Sequence, residues 1–575
     1  MCGIIGQIGK VNCMADVLEG LKKLEYRGYD SAGVAVATEN GIRRVREVGA
    51  IARLEEKVKK EGLDGKAVIG HSRWATNGKV SIENAHPHMA GKFAVVHNGI
   101  IENASALKAE MPGETYESET DTEVAAKVIE KCYTGDPLTA VREATLRFTG
   151  SYALGVLCED TPDTLYAAAL GSPLLAIVTE NGCCIASDAG AVKGAKEIYR
   201  LENRETAVLT AEKIVIYDPD GSEIRKEPLS HAAEALTLDK GGYEHYMMSE
   251  IMQQPEALRR TIESLQPRDV FAGVKEVVVV ACGSAYHAGL VGCRVIERVR
   301  RIPARAEVAS EFRYADPIVG KDTLCIFVSQ SGETADTLAA LRLAKEKGAK
   351  TLSIVNVPGS AIARESNEVI LTLAGREIAV ATTKAYSAQL AVFYALALGS
   401  AEKLRTLPEA VYTAIQENDA KARALAHKIA GCKNIFFIGR QLDNAVSLEG
   451  SLKMKEISYL NSQAYAAGEL KHGTISLVEP GTPVIATVTD PAILPKTVSN
   501  IHEVRARGAF TVVITTKSLA DGIEADAVLT VPDTDPLFAP SLAVVPMQLL
   551  SYYTAKALGC EIDKPRNLAK SVTVE

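Results

Sequence analysis

Positive charge is in short supply in this chain: 64 Lys and Arg face 72 Asp and Glu among 575 residues, a formal net charge of −8. A nucleic-acid coat needs a basic field, so that class is excluded. Long apolar runs are missing too. The longest, SAQLAVFYALALGSA from Ser387 to Ala401, has 15 residues and contains Gln389. A bilayer span takes about 18–20, so this run reads as a buried helix. No basic segment followed by an apolar one opens the sequence, so no signal peptide is expected. The 11 cysteines include no CxxC pair, which argues against a zinc site or a disulfide framework and for a reducing cytoplasm. After Gly332 of the hydroxyl-rich turn SQSGET come Glu333 and Thr334 rather than a Walker lysine, so a nucleoside triphosphate is disfavoured. No metal and no cofactor is called for.

What remains is an ordinary globular composition, 47% apolar and 24% charged, in a chain too long for one hydrophobic core. Roughly the first 230 residues carry short alternating runs such as GIIGQIG, AGVAVAT, FAVVHNG and SYALGVLC, broken by helical patterns at Met14–Leu24 and Asp121–Cys132. They predict an α+β domain with antiparallel sheet packed on sheet and helices outside. YDPDGSEIRK (Tyr217–Lys226) reads as a closing hairpin around Pro-Asp-Gly. The polar stretch Glu227–Gly242 is the linker candidate.

Beyond Tyr243 the strands become continuous apolar runs, VVVVACG, TLCIFVS and KTLSIVN, each followed by a helical stretch. That pattern indicates a parallel sheet covered on both faces. The order then recurs in NIFFIGR, PVIATVT and FTVVITT, predicting two copies of a doubly wound α/β unit. The expected division is a domain at 1–226, a linker at 227–242, and α/β subdomains at 243–405 and 406–575.

Cys2 follows the initiator methionine. Removal of Met1 would place its thiol beside its own α-amino group, whose pKa of about 7.7–8.0 suits a general base. CGIIG, LEYRGYDSAG, GHSRWATNG, NAHPH, HNGIIEN and SETDTE follow in order. Together they resemble the amino-terminal-nucleophile glutamine amidotransferases. The resemblance implies that Cys2 attacks the glutamine amide, forms a γ-glutamyl thioester and releases ammonia. It places the oxyanion donors at Asn98 and the Gly99 N–H. It gives Arg73 the substrate carboxylate and Asp121 the substrate ammonium, with Thr76 and His86 in the pocket and Trp74, the single tryptophan, as the gate to an ammonia passage. Taken singly, HNG would also read as a turn with Gly99 at positive φ, and Asp121 as a helix cap.

VSQSGETADTLAALRLAKEKG (Val328–Gly348) is a strand end, a hydroxyl-rich turn and a helix, a place where backbone N–H groups and the helix dipole suit a phosphate. With ACGSAYHAG (Ala281–Gly289) it resembles the sugar-isomerase (SIS) modules that bind phosphosugars. The second copy lacks SQSGET, so the first copy is expected to bind substrate. REIAVATTKAYSAQ (Arg376–Gln389), SLKMKEISYL, AYAAGELKHG and DKPRNLAKSVTVE complete the set. Both halves together resemble the isomerizing glutamine–fructose-6-phosphate aminotransferase family in its bacterial form. That implies phosphate and sugar contacts from Ser284, Ser329, Gln330, Ser331, Thr334, Val380 and Thr382. His472 would assist ring opening, reaching the site from a partner subunit and so implying a homodimer. Lys570 would form a Schiff base, and Glu456 would move the C1–C2 proton with Lys453 beside it on the same helix face.

Three positions depart from that pattern. Ala285 removes a hydroxyl near the phosphate, Thr382 stands where serine is common, and Thr474 replaces a proline after KHG. A related aminotransferase acting on another ketose phosphate is the alternative reading. Phosphoribosyl and asparagine-forming enzymes fall behind, for neither an acidic strand-end pair nor a Ser-Gly-Gly ATP loop follows Tyr243. A phosphosugar sensor fused to an inactive glutaminase is disfavoured by Cys2, Glu456, His472 and Lys570.

Overall fold

A computed structural model describes residues 2–75, 78–229 and 240–572. The chain divides into two compact units, residues 1–238 and 239–571. Thr76 and residues 230–239 of the expected linker lie outside the described residues.

The first unit contains two seven-stranded sheets, antiparallel as their alternation predicted. Ile4, Ile8 and Ile69 of one sheet pack on Ala94, Val96, Ala153 and Leu157 of the other, forming the central core. Each outer face carries helices. Met14–Leu24 buries Met14, Val17, Leu18, Leu21 and Leu24, the i, i+3, i+4, i+7 stripe of a surface helix. Asp121–Lys131 covers the second sheet. The sequence reading omitted helices at Ile51–Glu61 and Pro137–Leu146. The closing hairpin is present, Ile214–Tyr217 pairing with Glu223–Ile224.

Two registers position the first site. Gly3–Gly9 runs antiparallel to Ala67–Arg73 with Gly3 opposite Ser72, which sets Cys2 at the end of that ladder beside Arg73 and Trp74. Phe93–Ile101 pairs with Gly150–Cys158. His97-Asn98-Gly99 therefore lies inside a nine-residue strand, not in the turn its sequence also allowed.

The second unit holds two five-stranded parallel sheets. In the first the spatial order is Ala304–Val308, Glu276–Ala281, Thr323–Ser329, Lys350–Val355, Glu368–Leu371. The second repeats it with Asn461–Ala466, Asn434–Gly439, Pro483–Val488, Phe510–Thr516 and Ala527–Val531. Identical strand order in both is the structural form of the repeat.

The apolar run forms the helix Lys384–Leu398, buried over nearly its whole length. It packs so closely on the helix Gly283–Arg300 that a Cβ on Gly292 would fall 2.4 Å from the Phe393 ring. Helix Leu442–Ser458 of the second copy packs on that same Gly283–Arg300 helix. The two copies share one continuous core. Among the described residues, no helix is long and apolar enough to cross a membrane.

Candidate active sites

In the first unit, Cys2 Sγ accepts the Trp74 N–H at 3.2 Å. Its carbonyl oxygen accepts Asn98 Nδ2 at 3.1 Å and Arg27 Nε at 3.2 Å. Burial pushes the thiol pKa up, while the Trp74 N–H, Arg73 and Arg27 pull against it. A thiolate therefore needs a base or a substrate-induced charge.

The Asn98 side chain is oriented from behind. His71 Nε2 lies 2.9 Å from the His97 carbonyl and 3.1 Å from Asn98 Oδ1. Both partners accept, so His71 carries its hydrogen on Nε2. Burial lowers its pKa to about 3, keeping the ring neutral. His86 stacks on that ring at 4.1 Å and bonds Thr122 Oγ1 at 2.8 Å through Nε2. His86 thus lies in a buried histidine cluster with His71, His88 and His97.

Gly99 has φ +135°, and a Cβ there would meet the Ser151 carbonyl oxygen at 2.1 Å. Only glycine fits this close backbone approach. Arg73 is buried and donates to the carbonyls of Lys79 and Gly78 at 3.3 and 3.4 Å. Trp74 is half-buried, edge-on to Tyr29 at 5.8 Å. Asp121 is not the helix cap. Thr120 holds that place, and Asp121 Oδ2 accepts the Ile101 N–H at 2.8 Å.

In the second unit the phosphate-type turn closes on itself. Ser329 Oγ lies 2.9 Å from Thr334 Oγ1 and 3.5 Å from Ser331 Oγ, and accepts the Gly332 N–H at 3.0 Å. Gly332 has φ +66°, and a Cβ would strike Ser360. Thr334 is the N-cap position of the helix Ala335–Glu346, so hydroxyls and helix N–H groups converge there. The Gln330 carbonyl is bonded by the Asn356 N–H at 3.1 Å.

A buried charge network joins the two copies. Lys453 Nζ donates to Ser284 Oγ at 2.9 Å and lies 3.4 Å from Glu449 and 2.5 Å from Glu456. Ser284 Oγ donates to Glu449 Oε1 at 2.8 Å, and His287 Nδ1 lies 2.8 Å from Glu449 Oε2. Burial alone would discharge Lys453, but Glu449 and Glu456 overcome it and raise its pKa. Burial raises Glu456, against the pull of Lys453 and with Glu449 adding to the rise. A carboxyl held high beside an ammonium is suited to moving a proton both ways.

Lys570, whose charge acts on Glu456, lies 2.5 Å from Glu377 Oε2 and donates to Thr382 Oγ1 at 3.1 Å. The Val380 N–H bonds the Asp563 carbonyl at 3.0 Å, tying this segment to the C-terminal tail. His472 is exposed on the short turn Leu470–His472. Among the described residues its ring joins neither the Lys453 nor the Lys570 cluster.

Residues 71–193 match the glutamine amidotransferase domain family, and residues 271–399 and 428–556 each match the SIS domain family. Over its full length the chain is 46% identical to the glutamine–fructose-6-phosphate aminotransferase (isomerizing) of Clostridium tetani, all of which is covered. It is 43% identical to the protein of that name from Bacillus subtilis, again with both chains fully covered. The chain belongs to this aminotransferase family. The C-terminal domain of glucosamine-fructose-6-phosphate aminotransferase from Francisella tularensis matches 57% of the chain and all of the solved domain, with 36% identity and a TM-score of 0.54.

Within this aminotransferase chain, sequence reasoning did not single out Glu449, His287, Glu377 or Glu250. Glu377 sat unassigned inside the quoted REIAVATTK motif. Glu449 stands four residues before Lys453, and that spacing reads as a surface ion pair until the packed copies bury it.

Proposed function

We propose that the chain transfers the amide nitrogen of glutamine to fructose 6-phosphate and isomerises the product to glucosamine 6-phosphate, the first step of amino-sugar synthesis. The full-length likeness to two enzymes of that name carries this reading, and the buried Lys453–Glu449–Glu456 network beside Ser284 supports it.

Cys2, freed by removal of Met1, attacks the glutamine amide with its α-amino group as base. Asn98 and the Gly99 N–H receive the oxyanion, Arg73 and Asp121 hold the amino-acid end, and Trp74, Thr76 and His86 shape the pocket. Ammonia passes to the sugar site. There Ser284, Ser329, Gln330, Ser331 and Thr334 take the phosphate, and Val380 and Thr382 line the sugar. Lys570 forms the Schiff base, and Glu456, paired with Lys453, carries the proton between C1 and C2.

The exposure of His472 in a single chain fits delivery to a partner's sugar site, hence a homodimer. The division at 1–226, 227–242, 243–405 and 406–575 is retained. Location in the cytoplasm fits eleven cysteines that are all free thiols. No nucleic-acid or membrane partner is proposed.

Incubation with amide-15N glutamine and fructose 6-phosphate tests the reading by mass spectrometry. Glucosamine 6-phosphate carrying the label is expected. Absence of aminosugar, or another ketose phosphate aminated in preference, would overturn it.

A further inference from the structure

An imine-forming lysine must shed a proton before it attacks and must see a hydroxyl leave afterwards. At Lys570 the structure supplies one group within reach of both events. Lys570 Nζ lies 2.5 Å from Glu377 Oε2, with the lysine side chain 5% exposed and the carboxylate fully buried. Paired so, the lysine is an ammonium with no lone pair. The other oxygen of Glu377 is anchored by the backbone N–H groups of Thr383 at 2.9 Å and Ala385 at 3.2 Å, so Oε2 is turned to the lysine.

Behind it stands a second buried carboxyl. Glu250, on the helix Tyr246–Met252, accepts the Ile378 and Ala379 N–H groups through Oε1. Its Oε2 is buried and has no hydrogen-bond partner among the described residues. Burial and the charge of Glu377 raise the Glu250 pKa to about 8, so of the two carboxyls only the one facing Lys570 is ionised at neutrality. Lys384, at the start of its own helix, is tied to Gln253 Oε1 at 2.7 Å, and Lys453 acts on Glu377 from the helix Leu442–Ser458. Lys570 is thus the cation bonded directly to Glu377.

We propose that Glu377 takes the proton from Lys570 as that amine attacks the open-chain ketose carbonyl, and returns it to the departing hydroxyl, with Glu250 as the positioning residue that holds the Glu377–Ala379 segment. The proposal rests on the Schiff-base reading of Lys570. The proton passes from Nζ to Glu377 Oε2 and the freed lone pair forms the C–N bond. The carbonyl π pair moves to oxygen, which takes a proton from the new ammonium and leaves a neutral carbinolamine. Glu377 then protonates the hydroxyl, the C–O bond breaks, and water departs. The products are water and a protonated imine, with no net proton gained or lost. Glu377 begins and ends as a carboxylate, opposite an ammonium first and an iminium last, so the buried site never holds an uncompensated charge between resting states.

Borohydride trapping of the full chain with fructose 6-phosphate, without glutamine, tests this by mass spectrometry. Wild type is expected to yield an adduct at Lys570. Glu377→Gln should lower the trapping rate by about 100-fold or more. Fructose 6-phosphate affinity should change far less than the trapping rate. Glu377→Asp should recover part of the rate. Trapping by E377Q at the wild-type rate, or E377D no better than E377Q, would overturn the role of Glu377. The absence of any adduct in wild type would instead overturn the Schiff-base reading and this proposal with it. Were E377Q to fail to fold, the comparison of E377D with wild type across pH still decides: a preserved acid–base step keeps the wild-type profile shape, and a lost one does not.

Discussion

Lys453 of the second α/β copy donates to Ser284 Oγ of the first at 2.9 Å. This bond, with the 3.4 Å contact to Glu449, makes the duplicated unit one site rather than two. Ser284 stands at the N-terminus of the helix Gly283–Arg300, the end where anions are favoured, and Lys453 adds a full positive charge bonded to it.

Lys453→Met should therefore do more than slow catalysis. Glu449 would remain fully buried with His287 and Ser284 as its partners but without its ammonium. Breaking one side of a buried pair costs about 3–5 kcal/mol. Urea unfolding of the variant should show that loss in the transition of residues 239–571. Unchanged stability would mean that the buried charge of Glu449 is already compensated without Lys453.

Cys2→Ala should abolish glutamine hydrolysis and glutamine-dependent synthesis while leaving sugar-phosphate isomerisation measurable. Loss of both activities would show that the two sites are misassigned. Gly99→Ala belongs with it. A methyl group 2.1 Å from the Ser151 carbonyl, at φ +135°, displaces the strand carrying Asn98. Glutaminase kcat should fall by about 100-fold or more, and a fall below threefold would remove Gly99 from the oxyanion site.

Lys570→Ala should keep glutamine hydrolysis and stop aminosugar formation. Undiminished glucosamine 6-phosphate would exclude a covalent role for this lysine.

The pH dependence of stability reports on Glu250. Its pKa rises from an unfolded value of 4.5 to about 8 in the fold. The stability it contributes is therefore complete below pH 4.5 and is lost as pH rises toward 8, by up to about 1.4 kcal/mol per pH unit. Glu250→Gln cannot ionise and escapes this loss. The melting temperature of the variant minus that of wild type should grow between pH 5 and pH 8. A constant difference would show that Glu250 is already ionised in the folded protein.

Much of this architecture was legible from periodicity. The repeat of apolar strands announced two copies because both faces of each sheet are covered, and Met14–Leu24 was bounded to the residue by its buried stripe. The ordered motifs around Cys2 pointed to residues that the fold brings together, Trp74 and Asn98 both bonding to Cys2. The buried acids were not. Glu449 and Lys453 are four apart on a helix whose mixed composition looks solvent-facing, and only packing of that helix on Gly283–Arg300 buries them. Glu250 and Glu377 are 127 residues apart in sequence and meet through a turn no local pattern encodes. FAVVHNG read as a strand and HNG alone as a turn with Gly99 at positive φ; the structure has the strand and the positive φ together.

The stoichiometry of the coupled reaction tests the central claim most directly. Glutamine and fructose 6-phosphate are incubated with the protein without metal or ATP, and glutamate and glucosamine 6-phosphate are quantified by mass. The account predicts equal amounts of the two products. Glutamate accumulating without aminosugar would contradict it, leaving a glutaminase beside a sugar-phosphate site that does not receive its ammonia.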